Sequence, residues 1–264
     1  MAHQIFKAER IILVILSSSE KPPVSTLRTD SDSPYVFVCD HAGWQVPASL
    51  EGLGLTKRDL KRHIGWDIGA LAVASKLSDI LSAPLIWQNY SRLVIDCNRV
   101  LDHPGLIAVE SDRTIIPGNM NITKAGIRSR IREVYQPYHG AIKKLLDVRK
   151  SRGVPSILVS IHSFTPVFRG IKRVCELGVL FGSDSRYASA FLKSTKANFD
   201  FLVMANEPYR VDEKDCTIPM HAIKRGNLNV LLEIRQDLIV SGAQQELLGS
   251  GLAGALEDAT SQIL

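Results

Sequence analysis

The sequence predicts an α/β protein in which buried strands of a parallel sheet alternate with helices. Residues 35–39, 156–161 and 228–234 are short apolar runs rich in β-branched or aromatic side chains, as in strands buried on both faces. Two long stretches with apolar residues at helical spacing, 68–81 and 122–152, lie between these runs. Ionisable residues stand inside or directly after the strands, and open α/β sheets bind ligands at the carboxyl ends of their strands.

The length and composition are those of an ordinary soluble protein. The 264 residues suffice for one large domain or two small ones, and no repeat or linker divides them. We therefore expect a single domain over residues 1–264, with residues 1–33 as an exposed lead-in. The apolar run 11–16 is too short to span a bilayer, and residues 1–10 do not resemble a signal peptide. The four cysteines are far apart and form no Cys-x-x-Cys pair, which suits a reducing cytoplasm.

The charge pattern favours a small anionic partner. The net charge is only +5, and the basic groups within 128–132 and 143–150 fall on a helical stretch, where a solvated face is expected. No helix-turn-helix, zinc finger or stacking motif accompanies them, so we expect no nucleic acid partner. A basic surface can instead attract an anionic substrate. The sequence leaves the oligomeric state open, a homo-oligomer included.

The remaining elements follow from local signals. Thr56 with Asp59 fits a capping box at the start of a short helix, and Thr123 caps the long helical stretch. Pro137 is expected to kink that stretch or divide it into two helices. The other predicted elements are a strand or helix at 10–16, a helix at 55–62, strands at 84–88, 174–181 and 201–205, a loop at 103–121, and helices at 184–198 and 242–264.

Ionisable residues in otherwise apolar strands are the candidate active site. His41 and His162 each follow a buried strand, and Glu233 lies within one. A buried carboxylate is costly unless it is paired, protonated or bound to a metal ion. Two histidines and one carboxylate are the minimal hydrolytic zinc site, with one coordination position left for water, and a second carboxylate can act as general base. We assign Asp67 as the ligand and Glu233 as the base, with the reverse assignment open.

Each of these residues also has a purely structural interpretation. The histidines could be satisfied core residues, Asp67 could be a helix N-cap, and Glu233 could pair with an arginine, for which Arg92, Arg99 and Arg235 are the candidates.

Further polar residues are candidates for catalysis or substrate binding. The segment 91–99 carries Arg92 and Arg99, and two guanidiniums so close together suggest an anion, although both could instead brace the sheet through Asp96. His221 lies in a predicted loop. It either reaches the site as a proton donor or oxyanion partner or is simply exposed. Asn206 and Tyr209 are candidates for positioning a substrate.

Several motifs together resemble those of the N-formylglutamate amidohydrolase family. They are DHAGWQVP at 40–47, GWD at 65–67, SRLVIDCNR at 91–99, IHSF at 161–164, ANEPY at 205–209 and NVLLEIRQDLI at 229–239. The resemblance implies a three-layer α/β/α fold with a mixed, mainly parallel sheet, similar to that of zinc carboxypeptidases. It also implies zinc-dependent hydrolysis of the amide of a small acyl amino acid, with conversion of N-formyl-L-glutamate to formate and L-glutamate as the family default.

The resemblance also assigns roles to individual residues. His41, Asp67 and His162 match the metal positions, and Glu233 matches the catalytic glutamate of a late strand. The substrate's carboxylates would be held by three residues of the 91–99 motif, which are Arg92, Asn98 and Arg99.

The chain departs from the family pattern at two places. Ser160 stands where the family has an aspartate two residues before the metal-binding histidine, and Arg210-Val211-Asp212 replaces a glycine-rich stretch after Tyr209. These changes indicate a divergent branch whose acyl amino acid or related amide is unassigned. A non-catalytic binding protein on the same scaffold is the alternative. A serine or cysteine hydrolase is disfavoured because there is no Gly-x-Ser-x-Gly elbow and Cys39 lies inside a strand. A nucleotide-binding enzyme is also disfavoured, because no nucleotide-binding loop is present.

Overall fold

The computed structural model describes residues 13–264, without the side chains of residues 196–198. The strands are β1 Val24–Leu27, β2 Tyr35–Cys39, β3 Leu85–Gln88, β4 Glu110–Ser111, β5 Thr114–Ile115, β6 Ile157–Phe164, β7 Val167–Phe168, β8 Ile171–Lys172, β9 Leu177–Leu180, β10 Val203–Ala205 and β11 Asn229–Arg235. The helices are α1 Lys57–Leu60, α2 Ala70–Ile80, α3 Lys124–Arg130, α4 Gln136–Ser151, α5 Arg186–Asn198, α6 Thr217–His221 and α7 Gly242–Ser261.

The central sheet is mixed and mainly parallel, which confirms the predicted fold class. Among the described residues, seven strands form it in the order β1-β3-β2-β6-β11-β9-β10. β3, β2, β6 and β11 are mutually parallel, whereas β1 and the β9–β10 pair run antiparallel to their neighbours. The parallel block places the carboxyl ends of β2, β6 and β11 at one edge of the sheet.

Helices cover both faces of the sheet and form one apolar core on each side. Phe37 and Cys39 pack with the side chains of α2, α5 and α7, whereas Val36 and Val38 pack with those of α4 and α6 on the opposite face. Successive side chains of a strand point to opposite faces, so a strand buried on both sides shows no polar alternation. This is the physical reason why the buried strands were visible as continuous apolar runs.

Two of the local predictions at turns and caps are confirmed and one is confirmed in part. The Thr123 hydroxyl accepts the Gly126 N–H at 3.1 Å at the start of α3. The Thr56 hydroxyl caps α1 by accepting the Asp59 N–H at 3.1 Å, but the Asp59 carboxylate accepts from that hydroxyl, so only half of the capping box forms. Pro137 lies in the first turn of α4, and the five residues before α4 form a π-helical turn that separates it from α3. Because proline has no N–H to donate, the helix cannot run through this position with regular bonding.

Other regions differ from the prediction. The supposed lead-in contains β1, which pairs antiparallel with β3 at the sheet edge. Of the strand or helix predicted at 10–16, residues 10–12 lie outside the described residues, and residues 13–16 form neither element. The predicted loop at 103–121 carries the β4–β5 hairpin, and a second hairpin, β7–β8, and the short helix α6 were not predicted. Hairpin strands of two residues are too short to show a period.

Two of the basic residues expected on a solvated helix face are buried. The Arg149 guanidinium donates to the carbonyls of Ser31, Ser33 and Pro155 at 2.5–2.7 Å and to the Ser156 hydroxyl at 2.9 Å. The Arg130 guanidinium donates to the Val94 carbonyl at 2.9 Å and to a buried asparagine. Both guanidiniums therefore donate to carbonyls of irregular backbone and not to solvent. Within the described residues, no helix combines the length and the apolar character needed to cross a bilayer.

Candidate active site

A cavity of about 720 Å³ lies at the carboxyl ends of the parallel strands. Its lining is polar and charged, and it includes most of the residues that the sequence nominated. These are His41, Asp67, Arg92, Asn98, Arg99, His162, Tyr209 and Glu233. The structure therefore gathers side chains that are up to 192 positions apart in the sequence.

His41, Asp67 and His162 converge on one point. Oδ2 of Asp67 lies 2.7 Å from Nδ1 of His162 and 3.3 Å from Nδ1 of His41. All three residues are buried, and their nearest ligand atoms lie within 4.8 Å of one another. Asp67 precedes α2 by three residues but its side chain does not cap the helix, so the N-cap interpretation is wrong.

The opposite nitrogen of each imidazole is bound to a second carboxylate. Nε2 of His41 lies 2.7 Å from Oδ1 of Asp96, and Nε2 of His162 lies 2.8 Å from Oδ2 of Asp40. A carboxylate at Nε2 favours the tautomer that carries its proton there and leaves the Nδ1 lone pair free. Burial lowers the pKa of His162, but hydrogen bonds to Asp40 and Asp67 outweigh it and raise that pKa well above its usual value.

This donor set fits a divalent metal ion. Two Nδ1 lone pairs and a carboxylate oxygen facing one another repel unless a proton or a cation lies between them. Two imidazoles and one carboxylate are a ligand set suited to zinc, and the carboxylates at Nε2 are the partners that metal-binding histidines usually have. His41, Asp67 and His162 are therefore the residues that would hold the ion.

Glu233 lies beside this cluster without a partner of its own. It is paired in register with His162 across β11 and β6, and it lines the same cavity. Its Oε2 atom is buried and accepts no hydrogen bond. Burial raises the pKa of Glu233 to about 7, with the nearby His162 as the strongest opposing influence.

The three arginines that could have neutralised Glu233 bind other carboxylates. Arg92 pairs with Asp96 at 2.5 Å and lies 3.7 Å from Asp67, and Arg99 pairs with Asp215. Arg235 binds Glu176 and Asp237, which lie outside the cavity lining. The purely structural interpretation of Glu233 is therefore not supported by any ion pair in residues 13–264.

Arg92, Asn98 and Arg99 line the cavity but are also tied into its wall. The side-chain oxygen of Asn98 accepts the backbone N–H groups of Cys216 and Thr217 at 3.3 and 3.1 Å. The Arg92 and Arg99 side chains keep about 30 % of their surface exposed toward the cavity, so each guanidinium retains N–H groups that a ligand can reach.

Two of the candidate residues lie outside the cavity lining. His221 is buried at the end of α6, where its Nε2 lies 2.9 Å from Nδ1 of His139, so the predicted exposed loop is wrong. Asn206 has a positive φ of 54° and its side chain accepts the Phe181 N–H at 3.0 Å, which joins β9 to the chain after β10. The structure brings neither side chain to the cluster of His41, Asp67 and His162.

The match to a family decides the identity of the scaffold. Residues 33–240 match the family model described as N-formylglutamate amidohydrolase. The chain belongs to the N-formylglutamate amidohydrolase family. A comparison with curated proteins finds no match.

Two solved structures extend this result. A gene product from Agrobacterium tumefaciens is 35 % identical, with a TM-score of 0.91 over 94 % of this chain and 99 % of that one. An N-formylglutamate amidohydrolase from Ralstonia eutropha is 19 % identical, with a TM-score of 0.67 over 91 % of this chain and 98 % of that one. The second similarity concerns the fold alone.

In this N-formylglutamate amidohydrolase scaffold, sequence reasoning missed the role of Asp40. The Asp40 carboxylate, directly after the neighbouring strand β2, binds His162, and the hydroxyl of Ser160, where the resemblance implied an aspartate, donates to Asp40 at 3.2 Å. Asp40 also accepts the hydroxyls of Tyr138 and Thr217 at 2.7 and 2.6 Å. The signal was present, because an aspartate directly after a strand buried on both faces must be paired.

The surroundings of the four cysteines disfavour the thiolate form. All four are free and buried. Burial raises the pKa of Cys39 and Cys97 well above the usual value and that of Cys175 and Cys216 to about 11. A nucleophilic cysteine needs a thiolate.

Proposed function

We propose that this chain is a metal-dependent amidohydrolase that cleaves the amide of a small N-acyl amino acid. N-Formyl-L-glutamate, hydrolysed to formate and L-glutamate, is the first substrate to test. The observation that carries the proposal is the convergence of His41, Asp67 and His162 beside the unpaired carboxylate of Glu233. A metal ligand set next to a buried carboxylate with a raised pKa supports hydrolysis better than passive binding.

The proposed mechanism assigns the proton transfers to Glu233. When bound, a zinc ion at His41, Asp67 and His162 supplies Lewis-acid polarisation of the amide carbonyl and lowers the pKa of water. Glu233 in its ionised form accepts a proton from the attacking water. It then donates that proton to the amide nitrogen as the carbon–nitrogen bond breaks, so that the amine leaves neutral.

The arginines and their neighbours are assigned to charge stabilisation and binding. Arg92, next to Asp67 and Asp96, would stabilise the negative charge that develops on the substrate's carbonyl oxygen. Arg99 and Asn98 would hold a carboxylate of the substrate, with Tyr209 closing the same cavity. His221 and Asn206, which lie outside the cavity lining, are assigned to support of the surrounding chain through their contacts with His139 and Phe181. We place the enzyme in the cytoplasm, as the four reduced cysteines suggest.

The test begins with purified protein, dialysed against chelator and then reloaded with zinc. N-Formyl and N-acetyl derivatives of acidic and neutral amino acids are supplied, and release of formate, acetate or free amine is measured. Zinc-dependent turnover of one of these amides is the expected result. A protein that binds no zinc stoichiometrically and hydrolyses none of them contradicts the proposal and favours the non-catalytic alternative.

A further inference from the structure

Arg173 is a guanidinium in the cavity wall that is held by aromatic rings. It follows β8, and its guanidinium carbon lies 4.8 Å from the ring centres of Phe168 and Tyr209 and 5.5 Å from that of Phe164. All four residues line the cavity. The backbone N–H of Arg173 donates to the Pro166 carbonyl at 2.9 Å, which closes the β7–β8 hairpin. Hairpin and rings together restrict the position of the guanidinium.

The charge of Arg173 is not neutralised by the protein. Across the part of the chain that the structure describes, no carboxylate lies within 4.0 Å of Arg173, and its Nη1 atom is buried without a hydrogen-bond partner. Arg92 and Arg99, in the same cavity, each pair with an aspartate. A buried N–H group of a charged side chain is costly to leave unmatched, so such a group marks a place where a ligand atom belongs.

A carboxylate is the ligand group that fits this guanidinium. Arginine binds carboxylates through two parallel N–H···O bonds, and a guanidinium already packed against rings loses less conformational freedom when it does so. The rings around it add cation–π attraction and exclude water on the sides that the ligand does not occupy.

We propose that Arg173 binds a carboxylate of the substrate and sets the preference of the enzyme for acidic acyl amino acids. The inference rests on the proposed function, and it adds a binding residue outside the motif that the family resemblance nominated. Arg173 and Arg99 both line the cavity, and the inference assigns one carboxylate of a dicarboxylate substrate to each.

The kinetic experiment compares the wild type with Arg173→Met, Arg173→Lys and Lys172→Met, all loaded with zinc. Lys172 is the neighbouring residue, exposed and absent from the cavity lining, so its variant controls for the loss of one positive charge. Removing one charge-assisted contact should raise KM for N-formyl-L-glutamate about 10- to 100-fold with little change in kcat. Arg173→Lys should recover part of the loss, and Lys172→Met should resemble the wild type.

Two substrate analogues show which carboxylate Arg173 holds. N-Formyl-L-glutamine lacks the side-chain carboxylate, and N-formyl-4-aminobutyrate lacks the α-carboxylate. With the analogue that lacks the partner of Arg173, wild type and Arg173→Met should differ little. An unchanged KM in Arg173→Met, or an equal loss with all three substrates, overturns the inference. Thermal melting of each variant checks that the hairpin still folds.

A binding experiment separates this inference from the proposed function. Glutarate, a dicarboxylate without an amide, is titrated into wild type and variants by calorimetry. Weaker glutarate binding by Arg173→Met, but not by Lys172→Met, supports the role of Arg173 even if no amide is hydrolysed. If the wild type binds no glutarate, or if both variants bind it equally well, the role of Arg173 is refuted, and amide turnover still decides the proposed function on its own.

Discussion

Nε2 of His162 lies 2.8 Å from Oδ2 of Asp40, which directly follows β2, the strand next to that of His162 in the sheet. This bond orients the imidazole so that Nδ1 faces Asp67. The Ser160 hydroxyl is a second, longer contact of the same nitrogen at 3.1 Å, so the Asp40 carboxylate is the main partner of His162 on this side.

The first prediction concerns this bond. Asp40→Asn should lower zinc affinity about 10- to 100-fold, because the amide binds the imidazole more weakly and does not favour a single orientation. Competition with a chelating dye measures the affinity without reference to turnover. Ser160→Ala is the matched control and should have a smaller effect, since the hydroxyl is a minor partner at 3.1 Å. Equal affinities in wild type and Asp40→Asn would contradict the assignment.

The second prediction concerns Glu233. Glu233→Gln should keep stoichiometric zinc and lower kcat by about 10²–10⁴-fold, because the amide cannot accept a proton from water. Zinc content is measured by atomic absorption and turnover by the rate of amine release. Glu257→Gln, at an exposed position of α7, removes a charge far from the site and should leave both unchanged. Normal turnover in Glu233→Gln would mean that another group is the base.

The third prediction concerns the buried pair His139 and His221. Nε2 of His139 donates to the Cys97 carbonyl at 2.9 Å, so His139 accepts from His221, whose other nitrogen is buried and unpartnered. Burial, reinforced by the charges of His139 and Arg225, lowers the pKa of His221 to about 3, and burial also lowers that of His139. More distant Asp40 and Asp147 act in the opposite direction on His221.

These histidines make the free energy of unfolding depend on pH, because the folded and unfolded chains bind protons at them differently. The unfolded chain binds a proton at each of these two histidines near pH 6.5, whereas the folded chain does not bind it at His221 until about pH 3. The stability that His221 contributes is therefore full above pH 6.5 and is lost as the pH falls toward 3. Between about pH 7.5 and pH 5 the loss should be about 2 kcal/mol. Urea unfolding of wild type and His221→Gln at both pH values tests this, and an equal pH dependence in the two proteins would refute it.

The fourth prediction concerns Arg149. Arg149→Met should destabilise the fold by about 2–4 kcal/mol, because three partly buried hydrogen bonds to backbone carbonyls are lost. The free energy of unfolding in urea is the measurement. Arg152→Met is the control, since Arg152 makes only an exposed ion pair with Asp32 and should change stability by less than about 0.5 kcal/mol. A similar small effect of Arg149→Met would show that the loop it binds is satisfied by water.

Prediction from the sequence worked best where one physical signal dominated. Strand β2 and its neighbours were recognised because burial on both faces produces continuous apolar runs, and the division of the helix at Pro137 follows from the missing N–H. The β4–β5 and β7–β8 hairpins were missed because two-residue strands carry no measurable period. Buried Arg149 was misread as solvated because charge alone does not show what backbone lies across from it.

The sequence by itself determined the α/β class, the buried strands and the identity of the histidines and carboxylates that lie inside or directly after them. Those residues are recognisable because ionisable groups in apolar surroundings are costly and therefore conspicuous. Only the tertiary structure decided which of them meet. Asp67 lies between two imidazoles, Asp40 binds a histidine on another strand, and Glu233 and Arg173 have no ion-pair partner among the described residues, because the order and register of strands distant in sequence set those distances.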